Sequence, residues 1–314
     1  MLHDWRQLLR QVKADHHEGA TALLRRGIEA ARLFLLESRA LPPSRVASAL
    51  AQFTVRLTES QPSMAPFMTL ANALWLGVEG RPGDSWWNDL HDALVRYADR
   101  TDRNLQRTLR HTAGLVRSEV LVLTHSHSTA VRMALLQALA AGRHFEVVCS
   151  ESRPMGEGMA LARHLARAGI SVHLTTDAAL PGWVERAHLV LLGADAVFVG
   201  RIANKVGTQA ILHAARRGRV PAYALADSSK WLPESLAGFW RVREEAPGEI
   251  AHPRHVNLHV DNRYFELAPL ALLTGLAWEE GIGRPAEIRR RIAGLAVSRG
   301  LMRLLRRRKK SREA

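Results

Sequence analysis

The character of the chain changes near residue 118, and that change constrains the fold more than any other feature. Before it, no stretch shows strand-like alternation. After it come five short apolar runs rich in β-branched residues: 119–124 (EVLVLT), 144–149 (HFEVVC), 170–175 (ISVHLT), 187–193 (AHLVLLG) and 220–225 (VPAYAL). The intervening stretches 127–141, 156–168, 178–186 and 203–217 are helical in pattern. Strands alternating with helices of this length predict βαβ units and a mostly parallel sheet. Runs that are apolar throughout, rather than alternating, fit strands covered on both faces. The expected fold is α/β, with an N-terminal helical bundle over 1–117, a doubly wound sheet domain over 118–302 and a basic C-terminal tail over 303–314. No GxGxxG follows any of the runs, so a dinucleotide fingerprint is absent and no cofactor is expected.

The helical expectation for the first third rests on spacing. Ala20, Leu23, Leu24, Gly27, Ile28, Ala31, Phe34 and Leu35 recur at three and four residues within 18–38, one face of an amphipathic helix. Breaks at 42–44, 61–66 and 80–85 separate this helix from others expected over 45–57 and 86–115. A chain of 314 residues with 47% hydrophobic side chains is long enough for two domains with real cores. A single cysteine, Cys149, excludes a disulfide framework. No apolar run approaches the roughly 20 residues of a membrane span. The charged N-terminus lacks a signal-peptide stretch, so the expected location is cytoplasmic.

The net charge is +14. Residues 303–314 hold seven basic groups and one glutamate. This segment reads either as a nucleic-acid contact or as a solvated, fraying terminus. The wider basic balance suits phosphorylated small molecules as well as nucleic acid.

In an open parallel sheet, ligands bind beyond the carboxyl ends of the strands. Five segments fall there: 124–129, 150–158, 177–179, 193–195 and 204–208. The first is hydroxyl-rich at a strand-to-helix turn, where Ser126, Ser128 and Thr129 serve either to cap the next helix or to cradle a phosphate. His125 and His127 lie in the same segment. With one cysteine and no compact His/Asp/Glu cluster, no metal is expected. Arg153, stiffened by Pro154, suits bidentate anion recognition, or else pairs with Glu151 or Glu157. Asp195 sits where a carboxylate is readily buried and its pKa raised. Lys205 is available to neutralise a phosphate, or is a solvated lysine at a helix start.

From about Glu119 to Lys230 the chain resembles the eukaryotic initiation factor 2B alpha/beta/delta-subunit family. That family also contains methylthioribose-1-phosphate isomerase and ribose-1,5-bisphosphate isomerase. The resemblance is carried by LTHSHS (123–128), ESRPMGEGMALARHLARAGISV (151–172), TDAA (176–179), GADAVFVGRIANKVGT (193–208) and PAYALADSSKW (221–231), in matching order and spacing. Weaker echoes are NRYFELAP (262–269), EEG (279–281) and, near the N-terminus, HEGA (17–20).

The resemblance implies a helical domain joined to a Rossmann-like domain, with a sugar phosphate or nucleotide-like phosphate held between them. It implies binding roles for Gly19, Ala20, Ser128, Arg153, Asn204 and Lys205. In the isomerase members, a cysteine and an aspartate form the catalytic pair. The aspartate maps to Asp195 and the cysteine to Ser126. A serine hydroxyl is no base at neutral pH without a partner. The expectation is therefore a regulatory or otherwise non-catalytic binding protein. The alternative is an aldose–ketose isomerase using Asp195 with His125 or His127. The apolar run 267–278 is longer than one buried helix face needs. With the resemblance, it predicts a homodimer through the α/β domain, with 262–281 near the interface.

Overall fold

The computed structural model describes residues 4–16, 18–252 and 255–313. His17, part of the HEGA block, lies outside them. Five helices come first: α1 (Trp5–Ala14), α2 (Ala20–Ser38), α3 (Pro43–Ser60), α4 (Ala65–Val78) and α5 (Trp86–Ala113). Their apolar faces meet around Leu23, Phe53, Phe67 and Leu74, all essentially solvent-free. Phe34 stacks on Phe53 at 4.5 Å, and Trp5 meets both edge-on. Each such side chain contributes about 1.5–3 kcal/mol by leaving water. Gly27 permits the close approach of α2 to α4, since a Cβ there would lie 3.1 Å from the Phe67 ring.

The chain continues through β1 (Leu121–Leu123), α6 (Thr129–Ala140), β2 (Glu146–Ser150), α7 (Glu157–Arg167), β3 (Ser171–Thr175), α8 (Leu180–Trp183) and β4 (Leu189–Gly193). It then forms β5 (Ala196–Val197), β6 (Arg201–Lys205), α9 (Thr208–Gly218), β7 (Ala222–Leu225) and α10 (Glu234–Ala237). Last come β8 (Phe265–Pro269), β9 (Gly275–Trp278), β10 (Gly281–Gly283), α11 (Pro285–Ala293) and α12 (Arg299–Glu313).

Seven strands form one sheet in the order β10-β9-β7-β4-β1-β2-β3, parallel except for the β9–β10 pair. Strand β1 is flanked by β2 on one side and β4 on the other. From β1 the chain winds outward to β3, then returns to β4 and winds the other way. The crevice beyond the carboxyl ends of β1 and β4 is thus the topological switch point, where such sheets hold ligands.

Several elements differ from the sequence reading. Residues 203–217 were expected as one helix. Instead Arg201–Lys205 is a strand paired with both β5 and β8, and Gly207 at φ +102° turns the chain into α9. Asn204 and Lys205 are therefore strand residues, not a helix start. The apolar run 267–278 is no helix either. It divides into the end of β8, a tight turn at 270–272 and β9. Ala268, Leu270, Leu273, Leu276 and Trp278 are buried in this chain's own core. The run consequently gives no argument for a subunit interface.

The end of the chain also departs from a fraying tail. Helix α12 packs through Leu301 and Leu305 into the helical core, with Arg306–Lys310 on its exposed face. Helix α5 joins the two halves. Leu90, Leu94 and Tyr97 enter the helical core, whereas Leu105, Leu109 and Ala113 pack with α6 against the sheet. Among the described residues no helix is long and apolar enough to cross a membrane.

Candidate functional site

A cleft opens at the switch point. Its walls come from the α1–α2 connection, the α3–α4 turn, the segments after β1 and β4, the end of β6, and the residues following β7. Gly19, Ala20, Ser126, His127, Ser128, Asp195, Asn204 and Lys205 all line it.

Two helix N-termini meet here. Gly19 caps α2 and Ser128 caps α6, its Oγ accepting from the Val131 N–H at 3.3 Å. A Cβ on Gly19 would lie 3.3 Å from the His127 carbonyl and 3.7 Å from the Thr129 nitrogen, so glycine allows the two ends to touch. Across the cleft, a Cβ on Gly193 would fall 2.7 Å from the Ser128 side chain. Aligned N–H groups and the positive ends of two helix dipoles thus face one space, which favours an anion.

Ser126 has φ +65°, a left-handed conformation uncommon outside glycine. Its N–H donates to Ser152 Oγ at 3.1 Å, and its Oγ donates to Glu157 Oε1 at 2.8 Å. Ser152 is itself left-handed at φ +64°. The N–H groups of Ser152 and Arg153 donate to the two oxygens of Asp177, at 2.9 and 2.6 Å. Burial works against ionising Asp177, but these bonds and one from Ser150 hold its carboxyl below the ordinary range. The segment after β2 thereby fixes the segment after β1.

Glu157 opens α7 and forms an ion pair with Lys205 at 3.0 Å. Both side chains are nearly sealed from solvent, with relative exposures of 10% and 4%. Glu157 Oε2 is buried without a hydrogen-bond partner among the described residues. The Lys205 ammonium also lies over the Tyr264 ring at 5.0 Å. Asn204 donates to Thr208 Oγ1 at 2.9 Å.

Asp195 is held by its backbone. Its N–H donates to the Ala203 carbonyl at 2.8 Å, and its carbonyl accepts from the Ala65 N–H at 2.9 Å, which ties the start of α4 to the site. Burial raises the Asp195 pKa to about 6; Glu157 adds to the rise, while Lys230 and Lys205 oppose it. A carboxyl so tuned can exchange a proton near neutral pH.

Two of the expected residues are placed elsewhere. His125 is buried, with Nε2 2.7 Å from the Val206 carbonyl and Nδ1 2.9 Å from Ser150 Oγ. The carbonyl only accepts, so Nε2 carries the proton and both nitrogens are engaged. Burial lowers the pKa of His125, and its ring does not line the cleft. Arg153 is exposed and borders a separate depression with Asp261, Arg263 and Glu266. Neither Glu151 nor Glu157 pairs with it. His127 does line the cleft; burial lowers its pKa, and its Nε2 has no hydrogen bond among the described residues.

Three participants escaped the sequence reading: Glu157 as the partner of Ser126 and Lys205, the Arg243–Glu245 ion pair at 3.0 Å, and Lys230. Lys230 is 3% exposed and lines the cleft. It follows β7, and the carboxyl-end rule applied to that strand would have pointed to it. No group of three or more potential metal ligands occurs among the described residues.

Comparison with known proteins gives the chain's family. The sequence model of the initiation factor 2 subunit family matches residues 16–285, and the chain belongs to that family. A putative translation initiation factor eIF-2B subunit 2-like protein of Pyrococcus horikoshii is 26% identical over 280 residues, covering 89% of this chain and 96% of its own. A ribose 1,5-bisphosphate isomerase of Methanocaldococcus jannaschii is 30% identical over 168 residues, or 52% of this chain and 54% of its own. The crystal structure of the Pyrococcus horikoshii translation initiation factor eIF-2B superposes with a TM-score of 0.77 at 26% identity, covering 89% of this chain and 96% of that one.

Proposed function

We propose that this member of the initiation factor 2 subunit family binds a sugar phosphate or nucleotide phosphate in the switch-point cleft, without cysteine-dependent turnover. The observation that carries the reading is the meeting of the α2 and α6 N-termini with the buried ammonium of Lys230 in one space. Phosphate is the common metabolite group that such an arrangement suits. Ser128, Asn204 and Lys205 complete the polar wall, and Gly19 and Ala20 let the helices close around it. Arg153 is left out of the binding set because it borders a different depression. The test is titration calorimetry with ribose 5-phosphate and adenosine monophosphate; heat of binding from neither would defeat the proposal.

A second reading has its own observation. Asp195, with its pKa near 6, and Glu157, which accepts a hydrogen bond from Ser126, both line the cleft. That favours an aldose–ketose sugar-phosphate isomerase, with His127 rather than His125 as the available imidazole. Incubation with ribose 1,5-bisphosphate or methylthioribose 1-phosphate, followed by assay for the ketose, separates the two readings.

We further propose that two copies associate through the α/β part. Leu174 on edge strand β3 and Ile282 on edge strand β10, at opposite edges of the sheet, are among the exposed apolar side chains of this part. A monomer by light scattering at micromolar concentration would contradict this.

A further inference from the structure

We propose that the cleft selects a ligand carrying one phosphate, and that Glu157 sets this selectivity. The inference rests on the cleft being a sugar-phosphate site, as proposed above. It follows from how the charges are already committed.

Among the described residues, three permanent cations line the cleft: Lys205, Arg243 and Lys230. Lys205 is held by Glu157 at 3.0 Å, and Arg243 by Glu245 at 3.0 Å. Lys230 differs. Its side chain is 3% exposed, and its ammonium makes no direct hydrogen bond or ion pair among the described residues, its charge acting instead on Asp195, whose raised pKa it opposes. One cation without a direct ion-pair partner and two adjoining helix N-termini supply charge for a single phosphate.

The remainder of the lining opposes a second one. Asp15, Glu18, Glu157, Asp195 and Glu245 all face the cleft. A phosphate seeking Lys205 must approach the Glu157 carboxylate, which already occupies that ammonium. A hydroxyl has the opposite relation to the site. Glu157 Oε2 is buried without a donor, and a sugar hydroxyl turned toward it would supply one. Arg153, the other residue suited to a second phosphate, lies in a different depression. The Ser126–Glu157–Lys205 end of the cleft is therefore a hydroxyl subsite, and the phosphate lies toward Lys230 and the helix ends.

The test is calorimetric titration of the full chain at pH 7.5 with ribose 5-phosphate and with ribose 1,5-bisphosphate. The native protein should bind the monophosphate at least about ten-fold more tightly, a floor well beneath the roughly 10³-fold that one like-charge contact at about 4 Å gives at an effective dielectric near 20. Glu157→Gln should raise affinity for the bisphosphate relative to the monophosphate by at least about ten-fold. Equal or tighter binding of the bisphosphate by the native protein overturns the inference, as does an unchanged preference in the folded variant. Lys230→Met gives an independent check, because monophosphate affinity that survives it contradicts the assigned phosphate position. Failure of the native protein to bind either probe defeats the sugar-phosphate reading of the cleft on which the inference rests, and so is distinguishable.

Discussion

Asp195→Asn should stabilise the protein at neutral pH, and the gain should shrink as the pH falls. Asp195 has a folded pKa of about 6 against an ordinary value of 3.8, mainly because burial disfavours the charged form. A raised carboxyl binds more protons in the fold than in the unfolded chain. Its contribution is therefore harmless below about pH 4, destabilising increasingly between 4 and 6, and constant above. With those two values, ionisation costs the native state about 3 kcal/mol at pH 7.5 and about 1 kcal/mol at pH 4.5. An asparagine of the same shape carries no such cost. At about 2.1 cal/mol/K of unfolding entropy per residue, the melting temperature should rise by about 4–5 °C at pH 7.5 and about 1.5 °C at pH 4.5. Calorimetric melts of both proteins across this range provide the assay. A variant that melts no higher than the native protein at pH 7.5, or whose gain is the same at both pH values, would refute the reasoning. The cost is the usual mark of a group kept for its site rather than for stability.

Three further outcomes are expected. Ser126→Cys should raise ketose formation from a sugar phosphate by about 10²-fold or more, the ordinary worth of a positioned acid/base group, as read in a discontinuous ketose assay. Burial pushes the Cys149 thiol up to about 12, so a thiol reagent at pH 8 should modify it only at the rate of unfolding; reaction within seconds would show the strand end to be open. If the basic face of α12 contacts nucleic acid, joint reversal of Arg306, Arg307 and Lys310 to glutamate should abolish salt-dependent RNA retention in a filter assay while leaving the melting temperature within about 1–2 °C. Deleting 303–314 is a poorer experiment, because it removes the buried Leu305 as well.

Much of the architecture is readable from local pattern. The face at spacing three and four from Ala20 to Leu35 lies on α2, and the β-branched runs at 119–124, 170–175, 187–193 and 220–225 contain β1, β3, β4 and β7, while 144–149 covers all of β2 but its last residue. The errors share one cause. In 203–217 the helical spacing of α9 extrapolates backward past Gly207, and only pairing with β8, more than fifty residues away in sequence, makes Arg201–Lys205 a strand. Likewise 267–278 has no period at all, because its residues are buried in two different sheets; Pro269 and Gly275 were the available signs of its division. The site shows the same limit. Asp195, Ser126 and Lys205 follow from the strand-end rule, which is local. That Glu157 faces Lys205 rather than Arg153 depends on the end of β6 meeting the start of α7, and nothing near Glu157 in the sequence encodes it.

The serine at 126 bears on whether this cleft is in use or is a relic of lost chemistry. A left-handed backbone at a residue with a side chain costs of order 1 kcal/mol or more, which glycine would relieve. Here the conformation is imposed from two sides, by the Ser152 hydroxyl on the Ser126 N–H and by Glu157 on its Oγ. Ser152 in turn is fixed by Asp177, whose carboxyl the same bonds keep ionised. The chain of contacts from Asp177 through Ser152 and Ser126 to Glu157 and Lys205 thus spans the ends of three sheet strands and β6. Every member except Lys205 is a side chain whose only evident return is the position of the next. Packing alone would be served as well by alanine and glycine. Such an arrangement is coherent if it holds a hydroxyl and a carboxylate at fixed places along the cleft wall, where a ligand meets them already oriented. On the proposed reading, a serine at 126, where the resemblance implies a catalytic thiol, changes which chemistry the wall can perform and leaves recognition to the groups that surround it.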